Sequence, residues 1–210
     1  MRLVFLAPLL AGCVSFPAPA PPLDEPVPVA VEGEYLHEPS GARFPERVES
    51  FRRVKVTRYD AGGRNVGVGY NLRQGLFAVA ATAYVYPRPA VGSFLANRDA
   101  IDEWTARRDA EELRGCRQAV LDARREDGVR VVSEEPCAVE TDGRVRRGTR
   151  VEFEHENALG TPGLRGTTLL YLFADGAADW FVKFRFTHPR GADCARAIDS
   201  LFRGLRWPGP

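Results

Sequence analysis

Phe77-Ala78-Val79-Ala80-Ala81-Thr82-Ala83-Tyr84-Val85-Tyr86 runs for ten residues without a charge, a glycine or a proline. With the period of a strand, Phe77, Val79, Ala81, Ala83 and Val85 face one way, and Ala78, Ala80, Thr82, Tyr84 and Tyr86 the other. Neither face carries charge, so the run predicts a central strand covered on both sides, stopped by Pro87 and Pro89. Upstream, Val54 to Tyr59 and Val66 to Leu72 also alternate, and Asp60-Ala61-Gly62-Gly63 between them supplies turn chemistry. That is a hairpin, preceded by an irregular lead-in from Tyr35 to Phe51.

Downstream the period changes. From Arg98 or Asp99 to Asp127, Ile101, Trp104, Ala110, Leu113, Cys116, Val120 and Leu121 gather on one side, which predicts a long helix with Cys116 on its buried face. Asp99, Asp102 and Glu103 near its start and Arg124 and Arg125 near its end complement the helix dipole, and Gly128 supplies the stop. Strands are then expected over Val129 to Ser133, Val145 to His155, Leu164 to Phe173 and Asp179 to Thr187. A turn or bulge is expected at Pro136-Cys137, and a turn at Ala174-Asp175-Gly176-Ala177. Asp193 caps a final helix to Leu205, with an apolar stripe of Ala197, Ile198, Leu201, Phe202 and Leu205. The order predicts an α+β fold: a largely antiparallel sheet covered by one long central helix and a C-terminal helix, in a single domain over residues 35–210.

The N-terminus reads differently. Arg2 is followed by an apolar run from Leu3 to Leu10, too short to cross a bilayer, then by Leu10-Ala11-Gly12-Cys13. This resembles the lipobox of exported bacterial lipoproteins. The resemblance implies a signal peptide over residues 1–12, acylation of Cys13, and a mature chain anchored to the cell membrane or outer membrane with its domain facing the periplasm. Val14 lacks the Asp that resembles inner-membrane retention, which points to the outer membrane. From Val14 to about Glu32 the chain is rich in proline, so residues 13–34 are expected to form an extended tether outside any sheet or helix. Over residues 35–207 the hairpin, the run Thr82-Ala83-Tyr84-Val85-Tyr86-Pro87, the long helix, the later strands and the terminal helix together resemble the PsbP-like α/β/α sandwich. Members of that group bind partners or assist assembly, and the resemblance implies no catalytic residues.

A hydrophobic content of 44% marks a folding chain, and a net charge of +1 argues against a nucleic-acid partner. Lys55 and Lys183 are the only lysines. With Cys13 acylated, Cys116, Cys137 and Cys194 remain, and in an oxidising compartment two are expected to pair. Cys116 with Cys137 is the preferred bridge because the two are closest in sequence, although Cys194 can replace either. Glu152-Phe153-Glu154-His155-Glu156 could bind a metal or do acid/base work, but strand geometry turns His155 away from the three carboxylates, so it reads as a solvated acidic face and no metal is expected. His37 and His188 read as surface residues. No nucleophile elbow, phosphate loop or zinc motif is present, and Gly67-Val68-Gly69 is a strand feature. The expectation is therefore a non-catalytic binding or assembly module, without cofactor, held to the membrane through Cys13. It would bind an envelope protein or, alternatively, a small molecule or lipid; a hydrolase ranks below both.

Overall fold

The structure, a computed structural model, describes residues 22–74, 77–89, 98–174 and 179–209. Cys13 and the expected turn at Asp175-Gly176-Ala177 lie outside the described residues. Eleven strands are described: β1 (Pro22–Val29), β2 (Tyr35–His37), β3 (Ala42–Phe44), β4 (Arg47–Val48), β5 (Phe51–Asp60), β6 (Val66–Gln74), β7 (Phe77–Pro87), β8 (Arg130–Thr141), β9 (Arg144–His155), β10 (Gly166–Phe173) and β11 (Trp180–Pro189). Two α-helices accompany them, α1 (Arg98–Ala123) and α2 (Ala195–Gly204). The main sheet is antiparallel throughout and ordered β1-β5-β6-β7-β11-β10-β9-β8, with β4 beside β5 and a separate β2–β3 hairpin.

Two meanders make this sheet. Strands β5, β6 and β7 form one and β8 to β11 the other, and β7 joins them by pairing with β11, Val182 opposite Val85 and Phe184 opposite Ala83. The uncharged run at Phe77–Tyr86 thus lies at the centre, as its sequence predicts. Its cover is uneven, however: Val79, Ala81, Ala83 and Val85 are buried, while Ala78, Ala80, Thr82, Tyr84 and Tyr86 are only partly so.

The first face carries the main core. Phe184 and Phe186 stack alongside each other with ring centroids 6.0 Å apart, and Phe202 of α2 meets both edge-on at 4.8 and 5.5 Å. Ile198 and Leu201 of α2, Leu205, Trp207 and the β2–β3 hairpin complete this cover. On the opposite face α1 covers β9 and β10, where its Cys116 and Val120 pack on Val151, Phe153 and Leu170. One helix therefore lies on each side of the sheet. Helix α1 ends at Ala123, short of the expected Asp127, so Arg124 and Arg125 fall outside it; a short 3-10 turn follows and is closed by Gly128, whose φ of 63° suits glycine.

Two proline-containing stretches depart from the expectation of their sequence. Residues 22–29 are not a free tether: β1 pairs with β5 from Pro22 opposite Asp60 to Val29 opposite Val56. Proline is excluded from central strands because it has no N–H to give to the ladder, but on an edge strand every second N–H would face away from the sheet, so Pro22, Pro26 and Pro28 are tolerated there. The segment after β1 is held too: buried Arg53 donates to the carbonyls of Phe44 (2.6 Å), Gly33 (2.6 Å) and Val31 (3.2 Å). The folded body thus includes residues 22–33, which the expected boundary at 35 had placed in the tether. Likewise Pro136 makes no turn. It lies within the 12-residue β8, the opposite edge of the sheet, where it and the exposed Glu134, Glu135 and Glu140 discourage a further strand from adding.

Candidate functional site

Strand alternation on β9 sets Arg150 and Glu152 on the α2 side of the sheet and Val151, Phe153 and His155 on the α1 side. Cross-strand register then aligns Glu135, Arg150, Tyr171 and Phe184 in one row over β8, β9, β10 and β11. Where this row leaves the aromatic core, α2 does not fill the space above it. A cavity of about 600 Å³ remains between α2 and strands β8 to β11, with Leu169, Tyr171 and Phe202 as its apolar floor and wall. Arg150, Glu152 and Cys137 lie on the strand side, His188 at one end, and Asp193, Cys194 and Asp199 on the helix side.

The polar groups in this cavity are already engaged with one another. Arg150 donates to Glu152 at 2.5 Å and also to Glu135. The His188 Nδ1–H donates to the Pro189 carbonyl at 2.9 Å, leaving Nε2 as the unprotonated ring nitrogen, and burial lowers its pKa from the usual 6.5. Burial pushes the Cys137 and Cys194 thiols up to about 11, and it raises the Tyr171 phenol as well. At neutral pH the cavity therefore holds two protonated thiols, a neutral imidazole and one guanidinium paired with two carboxylates.

The cysteines do not pair as expected. Cys116 lies under α1 on one face of the sheet, whereas Cys137 packs against the core on the other, so the sheet itself separates them. Cys116, Cys137 and Cys194 are all free thiols. Cys116 instead donates to Glu112 at 3.3 Å, which also accepts from the Tyr86 hydroxyl at 2.6 Å, and burial raises its pKa.

The histidines also differ from expectation in part. His155 does turn away from the carboxylates, and there it bonds Thr168 Oγ1 at 2.9 Å and the Glu156 carbonyl at 2.8 Å. The acidic face beside it is not simply solvated, because Glu154 is paired with Arg130 and Arg190 and Glu152 with Arg150. His37 and His188 are core residues, at 1% and 6% exposure, not surface ones. His37 joins Ser40 Oγ at 2.6 Å and the Gly63 carbonyl at 2.9 Å, and these partners keep a polar ring inside the protein. Among the described residues no group of three or more His, Cys, Asp and Glu could hold a metal ion.

Sequence reasoning missed Arg150, Tyr171 and His188 as cavity residues. One signal was available: Arg150 stands two residues before Glu152, so alternation alone puts them on the same face. The sequence matches no protein-family model and no curated protein.

Proposed function

We propose that this chain is a lipid-anchored bacterial envelope protein whose α+β domain works by binding and not by turnover, and that the cavity beneath α2 is where it binds. The anchor reading rests on Leu10-Ala11-Gly12-Cys13 behind a basic residue and a short apolar run. One helix on each side of an antiparallel sheet supports kinship with the PsbP-like sandwich.

The observation that carries the binding reading is the state of the polar groups in the cavity. Arg150, Glu152 and Glu135 satisfy each other, the His188 ring is fixed through Nδ1, and burial keeps both thiols protonated. A volume of about 600 Å³ also falls within the ~300–1,000 Å³ range of small-molecule sites. Apolar floor and polar rim together suit an amphipathic molecule, which favours a small ligand over an envelope protein as the occupant of this site.

Native mass spectrometry of the full chain, extracted from its own membranes in mild detergent, tests both halves. The expected species carries acyl mass on Cys13 and one added small molecule, which Phe202→Trp, filling the cavity, displaces. A co-purifying protein that persists in that variant would move the binding site elsewhere, and an unmodified Cys13 would refute the anchor.

A further inference from the structure

Charge is unevenly spread over the sheet. Strands β5, β6, β7 and β11 contain a single carboxylate, Asp60, and it is taken up by the Arg64 N–H at 2.8 Å in the β5–β6 turn. On the side of these strands facing away from the aromatic core stand Lys55, Arg73, Lys183 and Arg185, including both lysines of the chain. None of the four has a carboxylate partner among the described residues. Lys183 lies over the Tyr84 and Tyr86 rings, at 4.4 and 5.3 Å, at the α1 border of this face, where it shares a small cavity with Glu112, whose hydrogen bonds go to Tyr86 and Cys116. A Cβ at Gly67 would meet Tyr59 at 3.0 Å and one at Gly69 would meet Lys55 at 3.1 Å, so the two glycines let those side chains lie along the sheet. Val54, the extra residue of the β5 bulge, adds an apolar group that is 53% exposed.

The position of this face bears on its partner. The chain joins the sheet at Pro22, opposite Asp60 and next to Tyr59, at the corner of the cationic face. Only eight residues lie between Cys13 and Pro22, and the nine steps from one to the other span at most about 30 Å. A lipid on Cys13 would therefore keep this face within a few Debye lengths of the headgroups. We propose that the open face of β5, β6, β7 and β11 rests on the phosphate headgroups of the anionic membrane that holds the anchor. This rests on the reading of Cys13 as the lipidated residue. Each basic residue near an anionic surface strengthens attachment by roughly fivefold, so the four orient a domain already tethered there.

The two lysines make the test direct. The acylated full chain is added from detergent to preformed vesicles of phosphatidylcholine, or of phosphatidylcholine with half replaced by phosphatidylglycerol. An impermeant amine-acetylating reagent is applied, and peptide mass spectrometry reads Lys55 and Lys183. Lys55 should react roughly fivefold more slowly on the anionic vesicles, recover its rate in high salt, and lose most of its protection in the Arg73→Gln, Arg185→Gln variant. Equal rates on both vesicles would overturn the proposal. So would protection by inorganic phosphate in detergent alone, which would reassign the face to a free anion. Intact mass of the same sample reports acylation separately, so an unmodified Cys13 refutes the anchor while the lysine rates still judge the face.

Discussion

Replacing Arg53 by Met tests whether residues 22–33 belong to the folded body. Arg53 is 9% exposed and holds three carbonyls, of which that of Phe44 is in the buried interior and those of Val31 and Gly33 lie in the segment following β1. A hydrogen bond to a charged donor contributes about 1.5–3 kcal/mol, and a buried carbonyl left without a donor costs its desolvation. The Phe44 carbonyl has no route to water and should account for about 2 kcal/mol; the other two, closer to solvent, for about 1 kcal/mol each. Removing a buried cation returns part of this, because its own desolvation no longer opposes folding. The net expected loss is about 2–3 kcal/mol, or roughly 4–12 °C in Tm for a domain of this size. Urea denaturation followed by tryptophan fluorescence measures the loss. Limited proteolysis should show faster cleavage around Val31 to Gly33 before any cut in β6 or β7. Unchanged stability together with unchanged proteolysis would refute the clamp, and with it the inclusion of β1 in the fold.

Two other perturbations follow from buried titrating groups. His37 and His188 are held below the usual 6.5 by burial, so below that pH the unfolded chain takes up protons that the folded chain refuses, and stability falls as the pH drops. Each unit of depression is worth about 1.4 kcal/mol. Urea midpoints at pH 7 and pH 5 should differ in the wild type and converge in a His37→Gln, His188→Gln variant; an undiminished slope in that variant would assign the acid sensitivity elsewhere. For the thiols, peptide mapping after alkylation in denaturant should find Cys116, Cys137 and Cys194 all free. Under native conditions Cys137 should react first because it alone is not fully buried, and slowly because its pKa is raised to about 11. A Cys116–Cys137 disulfide in those maps would contradict the sheet that separates them.

Local pattern made most of this fold readable. Alternation in Val66 to Leu72 and Phe77 to Tyr86, the 3.6-residue stripe ending at Gly128, and the Phe184 and Phe186 pairing each follow from one stretch of sequence and its period. What escaped depends on neighbours far along the chain. The prolines at 22, 26 and 28 forbid a central strand but not an edge one, and nothing local says which edge is free. His37 is buried because Gly63, 26 residues away, supplies an acceptor. The cavity gathers Cys137, Arg150, Tyr171, His188 and Cys194, and its emptiness depends on how α2 sits, which the apolar stripe of that helix does not encode. An overall charge of +1 likewise concealed a face whose four cations have no carboxylate partner among the described residues, since composition carries no information about sides.

The joint between the two meanders constrains how the chain can fold. Tyr86 of β7 pairs with Phe181 of β11, and about 95 residues separate them, including α1 and three strands. Closing so long a loop carries an entropic cost that no local contact repays beforehand, and topologies of this kind fold in milliseconds to seconds rather than microseconds. The strand that unites the sheet is also synthesised after every other strand of it. Until Trp180 to Pro189 emerges, the β5–β7 and β8–β10 segments lack their shared neighbour, and Phe202 and Trp207, which close the core, come later still. Cooperative structure in this protein thus waits for its C-terminus, and a chain shortened by its last 31 residues should retain hairpins but no common core.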